Sequence, residues 1–153
     1  MRVTVQRTVE LRTPGSEAWA YVADWPRQRE WIPLTRVEVV DSGDRVGGRI
    51  RAWTGIGPVG FWDSMTITEL ETTASGGTCS VLHTGKVVRG TGRFAIVATG
   101  ESTCLFEWSE TLDVPFGAVG RVGWAAGGRA LFMLVVERAL ASLRRRLEAT
   151  SYE

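Results

Sequence analysis

Between Arg2 and Leu11 the chain alternates. Val3, Val5, Val9 and Leu11 fall on one face, and Thr4, Gln6, Thr8 and Glu10 fall on the other. A period of two predicts a half-buried strand. Thr13-Pro14 then opens a helix, with Thr13 or Ser16 as its cap and Pro14 at an early position, running to about Ala23. In the stretch DWPRQREWIP, Asp24 to Pro33, Pro26 starts one or two further helical turns. Pro33 ends them by forcing Ile32 toward an extended conformation. Six more strands follow, over residues 35–41, 49–54, 61–70, 78–84, 91–99 and 102–113, separated by glycine-bearing turns or closed by Pro115. From Arg129 to Ala149 the apolar positions Phe132, Val135, Val136, Ala139, Leu140, Leu143 and Leu147 form one stripe, which predicts a long amphipathic helix.

These elements bury their apolar faces in few ways. The expected fold is α+β, with a seven-stranded curved antiparallel sheet wrapped around the long C-terminal helix and two short helices between the first two strands. Residues 1–153 read as a single domain, with no repeat and no linker. A sheet curved around one helix leaves room for a cavity between them.

Charge narrows the function. Lys+Arg 18 against Asp+Glu 17 gives a net charge of +1, which argues against a nucleic-acid partner. Two cysteines, Cys79 and Cys104, and one histidine make neither a disulfide framework nor a zinc site, so no metal or cofactor is expected. Both cysteines are in phase with apolar positions and read as small core residues. No apolar run approaches the ~20 residues that span a bilayer, and a cytoplasmic setting is expected. Seven tryptophans must line or fill something. Trp31 reads as a core anchor at the cavity's closed end or rim, and Trp25 as a partly exposed staple. Trp53 and Trp62 fall on outward faces, and with the exposed arginines they permit a homodimer without requiring one.

Four groups of residues carry a resemblance to a known family: Asp24…Trp31-x-Pro33; Phe61-x-Asp63-x-Met65-x-Ile67; His83-Thr84-Gly85 through Gly90-Thr-Gly92; and Phe106-x-Trp108-x-Glu110-x-Leu112 up to Pro115. In these, and in its order of elements, the whole chain resembles the START-like, helix-grip superfamily (SRPBCC), and within it the bacterial polyketide cyclase/dehydrase-related group. The resemblance implies a hydrophobic pocket and one of several functions, among them cyclases, hormone and lipid binders and chaperone activators. A shared fold does not choose between them.

The residues add chemistry of their own. Asp63 is in phase with Phe61, Met65 and Ile67, His83 with Cys79 and Val81, and Glu110 with Phe106, Trp108 and Leu112. Three strands therefore each aim one ionisable group at the concave face. Such groups must be paired, hydrogen-bonded or wet. In one reading His83 with Asp63 or Glu110 is a catalytic acid/base pair able to drive aldol cyclisation and dehydration. In the other the three pair with Arg51, Arg89 or Arg93 and hold the sheet's register. Trp31, Met65, Phe94, Phe106, Trp108, Phe132 and Val136 are the candidate lining of the pocket. Gly85, Gly90 and Gly92 read as hairpin glycines. The expected ligand is a small hydrophobic or aromatic, polyketide- or lipid-like molecule. The alternatives are a non-catalytic carrier or sensor, or an interaction module whose core is filled by Phe94, Phe106, Trp108, Phe132 and Met133.

Overall fold

The computed structural model of the chain describes residues 1–150. Strand β1 (Arg2–Leu11) leads to helix α1 (Gly15–Val22) and a 3₁₀ turn, Trp25–Glu30. Six strands follow: β2 (Thr35–Val39), β3 (Arg49–Ile56), β4 (Val59–Thr73), β5 (Gly76–Thr84), β6 (Arg89–Ala98) and β7 (Cys104–Asp113). Helix α2 (Gly117–Gly123) and a π turn, Trp124–Gly128, run into the long helix α3 (Arg129–Thr150). Strands β2 to β7 form an antiparallel meander, and β1 closes it by pairing with β7, giving the order β1-β7-β6-β5-β4-β3-β2.

The sheet curves around α3, whose stripe is buried from Met133 through Val136, Ala139, Leu140 and Leu143 to Leu147. Arg7 donates to Glu137 at 2.9 Å and the Arg12 backbone N–H donates to Glu148 at 3.3 Å, which ties α3 to β1. A bulge in β4 between Ile67 and Glu69 adds curvature to the sheet. It lies beyond the Met65–His83 pair, so Asp63, Met65 and Ile67 keep one face.

Two details of the early chain differ from expectation. Helix α1 takes Pro14 as its cap residue, and neither Thr13 nor Ser16 makes a capping hydrogen bond. The Thr13 hydroxyl is instead buried without a hydrogen-bond partner among the described residues. Gly76 and Gly77 belong to β5 rather than to a turn. A Cβ on Gly77 would stand 2.3 Å from the Trp19 ring, so glycine lets α1 seat on the sheet there.

The alternating hairpins sort to two ends. The β2–β3, β4–β5 and β6–β7 connections share the end that α1 covers, where Gly15 lies against Ser75 and Ala98. The β3–β4 and β5–β6 turns and the β7–α2 connection share the other.

The hydrophobic pattern assigns nothing between Pro115 and Gly127, where the structure has α2 and the π turn. Five glycines over residues 117–128 disguise a helical stretch. Gly117–Ala149 is thereby one helix long and apolar enough to cross a membrane by length and composition, although no single apolar run in the sequence is that long. Its second half is the core helix gripped by the sheet.

Candidate functional site

Register brings the three ionisable side chains together. Asp63 sits on β4 two residues before Met65, which pairs with His83 on β5, and Glu110 on β7 pairs with Gly92 on β6. His83 Nδ1 lies 2.8 Å from Asp63 Oδ1, and His83 Nε2 lies 2.9 Å from Glu110 Oε2. The side chains are 4% (His83), 15% (Asp63) and 13% (Glu110) exposed. Burial works against the charged ring. The hydrogen bonds and charges of Asp63 and Glu110 outweigh it and push His83 up to about 10. At neutral pH the ring is therefore an imidazolium that donates from both nitrogens.

The bond from His83 to Glu110 spans two strand spacings, roughly 10 Å of backbone separation, and passes over β6. It can do so because β6 carries glycine there. A Cβ on Gly92 would stand 2.7 Å from Glu110 Oε2 and 2.9 Å from Oε1. Gly92 is thus the gap that admits the carboxylate, not a hairpin glycine. A glycine inside a strand, flanked by strands carrying in-phase ionisable residues, was the available signal. Replacing Gly92 with alanine is expected to push Glu110 off the ring and lower the His83 pKa, followed by NMR titration of its only imidazole.

Glu110 has a second restraint. Trp108 Nε1 donates to Glu110 Oε1 at 2.9 Å, leaving Oε2 for His83. Trp108 is wedged edge-on against Phe94 and Trp31, with centroids 5.2 Å and 6.1 Å away, and Trp31 also packs edge-on against Phe106. The Trp31 indole N–H has no hydrogen-bond partner among the described residues, so packing holds this ring. Trp31→Ala is expected to cost about 3–5 kcal/mol in urea unfolding. Trp31→Phe should cost far less, because no hydrogen bond is lost.

The cluster forms part of the wall of a cavity of about 480 Å³ between sheet and helix, within the ~300–1,000 Å³ range of small-molecule sites. Met65, Phe94, Trp108, Phe132 and Val136 line it. Trp31 and Phe106 do not. Both are buried behind the wall, since facing inward sets a side chain's direction but not its depth. Trp25 is the converse case. It is only 4% exposed, donates to the Gly43 carbonyl at 2.7 Å and lines the cavity instead of stapling the surface. Gln28 also lines the cavity, buried and with no side-chain hydrogen bond among the described residues. Nothing in a non-periodic turn marks Gln28 from sequence.

The arginines expected to pair with the cluster do not. Arg51 bonds Glu38 at 2.8 Å, Arg93 lies 3.8 Å from Glu107, and Arg89 makes no ion pair among the described residues. Trp53 and Trp62 pack against each other on the convex face, with Arg51 over the Trp62 ring at 4.1 Å. Cys79 reaches the cavity, but burial, reinforced by the Glu69 charge, pushes its thiol up to about 12. That makes it a poor nucleophile. Among the described residues no three or more His, Cys, Asp and Glu side chains are grouped as metal ligands.

The cluster can hold and move protons at one accessible point. Both ring nitrogens of His83 and both oxygens of Glu110 are engaged, while Asp63 Oδ2 accepts no hydrogen bond among the described residues.

The fold is shared with known proteins. The di-domain ARO/CYC BexL from the BE-7585A biosynthetic pathway superposes with a TM-score of 0.72 at 18% identity. That match covers 99% of this chain and 48% of BexL, so the chain spans about half of that protein's length. A START superfamily protein from Mycobacterium smegmatis gives a TM-score of 0.71 at 16% identity, covering 96% of this chain and 98% of that one. The Zhui aromatase/cyclase from Streptomyces sp. R1128 gives 0.70 at 16% identity, covering 97% and 94%. At such identities the likeness establishes the START-like, helix-grip fold alone. No curated protein matches the sequence. The family model for polyketide cyclase / dehydrase and lipid transport matches residues 2–148. With the helix-grip architecture and its hydrophobic cavity, that match makes the chain a member of the polyketide cyclase/dehydrase and lipid transport family.

Proposed function

We propose that the chain binds a ring-bearing, largely apolar molecule with hydroxyl or carbonyl groups, and that Asp63 exchanges protons with it. The observation that carries this reading is the one carboxylate oxygen of the buried cluster that accepts no hydrogen bond among the described residues, Asp63 Oδ2, on the wall of an otherwise mostly apolar cavity. A free carboxylate in such a wall awaits a donor from a ligand. The unpartnered Gln28 amide offers the ligand a second polar contact.

Ring closure and dehydration need little more. Asp63 takes a proton from the carbon beside a ketone, and the resulting enolate attacks a second carbonyl. The same carboxyl returns the proton to the new alkoxide. A further α-proton taken by Asp63 and delivered to the hydroxyl releases water, and the cluster ends with the protons it began with. His83 is a positioning residue here. It fixes the Asp63 rotamer through Oδ1 and keeps a positive charge next to it.

A second reading, a carrier in which the cluster only anchors the ligand's polar end, is favoured by one observation. Both His83 nitrogens are locked to carboxylates, which suits a static anchor. The cavity supports ligand binding over the filled-core module.

Calorimetric titration of two- and three-ring phenolic ketones tests the binding claim. Ala52 lines the cavity, buried on β3 and paired in register with Asp63. Binding to the wild type should vanish in Ala52→Phe, which fills that space. No heat and no thermal shift from any compound would refute the proposal.

A further inference from the structure

The open end of the cavity has an unusual surface. Cavity-lining Phe61 and Leu131 are also exposed to solvent, so the cavity reaches water between the β3–β4 turn and the start of α3. Around that mouth Ile56, Val59, Phe116, Val119 and Val122 stand out, each roughly 70% exposed or more. Two residues are also held there at a conformational cost. Among the described residues, the non-glycine positions with positive φ are Leu34 (58°) and Phe116 (67°). Both are apolar, more than half exposed and at this end, Leu34 through its carbonyl on the Gly55 N–H. Bulky apolar side chains in the left-handed region point to a projection that the surroundings enforce.

Apart from Asp113, which is paired with Arg2 at 3.1 Å, the charges at the mouth are positive. Segments 55–62, 84–93 and 114–136 contain no Asp or Glu. They supply Arg93, which lies 3.8 Å from Glu107, and Lys86, Arg89, Arg121 and Arg129, all four exposed and without an ion pair among the described residues. Exposed apolar side chains flanked by unpaired cations match a membrane interface, with apolar groups below the headgroups and cations among anionic lipids. A protein partner would more commonly meet a mixed polar rim.

We infer that the cavity mouth docks on anionic lipid bilayers, with Phe116, Val119 and Val122 inserted and Lys86, Arg121 and Arg129 at the headgroups. Docking would let an apolar ligand pass between bilayer and cavity without crossing water. It depends on the mouth and not on the proton chemistry of the cluster.

Co-sedimentation tests this with vesicles of phosphatidylcholine alone and of an equal mixture with phosphatidylglycerol. Binding should be about a hundredfold tighter to the anionic vesicles, as three cations near such a surface supply, and should weaken at high salt. Arg121→Glu/Arg129→Glu should abolish the preference. Phe116→Ser/Val119→Ser/Val122→Ser should abolish binding, with circular dichroism and melting temperature unchanged. Asp63→Asn, which keeps the shape of the side chain, should bind vesicles like the wild type, so a failure of the acid–base reading would leave this result standing. Absence of binding to anionic vesicles at low salt would overturn the inference. So would a wild-type dimer in sedimentation velocity that the triple serine variant dissolves, since the mouth would then face a second copy of the chain.

Discussion

His83→Ala is expected to lower unfolding free energy by about 3–5 kcal/mol near neutral pH, because it leaves two largely buried carboxylates without their shared cation. A loss of that size can be half the stability of an ordinary domain. The deficit should depend on pH with a defined sign. The folded-state His83 pKa, about 10, lies above its ordinary 6.5. The stabilisation is therefore complete below about 6.5 and is lost as pH rises through about 10. The contribution is on the order of several kcal/mol, since a tenfold change in proton affinity corresponds to about 1.4 kcal/mol. Urea titrations at pH 6, 8 and 10 should show the wild type weakening steadily across this window. The His83→Ala deficit should shrink in step. A deficit independent of pH would mean that the ring acts only by filling space.

Asp63→Asn separates the two functional readings. An enzyme that uses Asp63 Oδ2 as its base should lose about 10²–10⁴-fold in turnover, the usual contribution of a positioned proton-transfer group. The amide keeps the shape of the side chain, so ligand affinity should change much less. The test pairs product formation from a β-polyketone with calorimetric binding of a stable aromatic analogue. Lost turnover with retained binding supports catalysis. No turnover in either protein, with binding weakened only in the variant, supports the carrier. The contrast with His83→Ala is deliberate, because that substitution acts through stability as well as through the position of Asp63.

Much of this architecture was legible as periodicity. Alternation in β1 and the stripe from Phe132 to Leu147 specify a strand and a helix with known buried faces, and the meander follows from short turns between strands. The same phase placed Asp63, His83 and Glu110 on the concave face. What periodicity omits is depth and lateral reach. Trp31 and Phe106 point inward as expected but sit behind the cavity wall, and Trp25 lies deeper than its proline-flanked position suggests. The role of Gly92 depends on a side chain from the adjacent strand folding over it, which the pattern of β6 alone does not encode and only the flanking strands signal. Gln28 lies in a turn without a period. The helical stretch after Pro115 hides behind glycines whose usual reading is loop.

The proposed function rests on a cavity built for an apolar small molecule. The most direct measurement is native mass spectrometry of the protein purified from its own host, beside the Ala52→Phe variant, with denaturing extraction of each. One apolar, oxygen-bearing molecule is expected per wild-type chain and none in the variant. A wild-type protein that repeatedly carries nothing, and whose melting temperature no apolar compound raises, would contradict it.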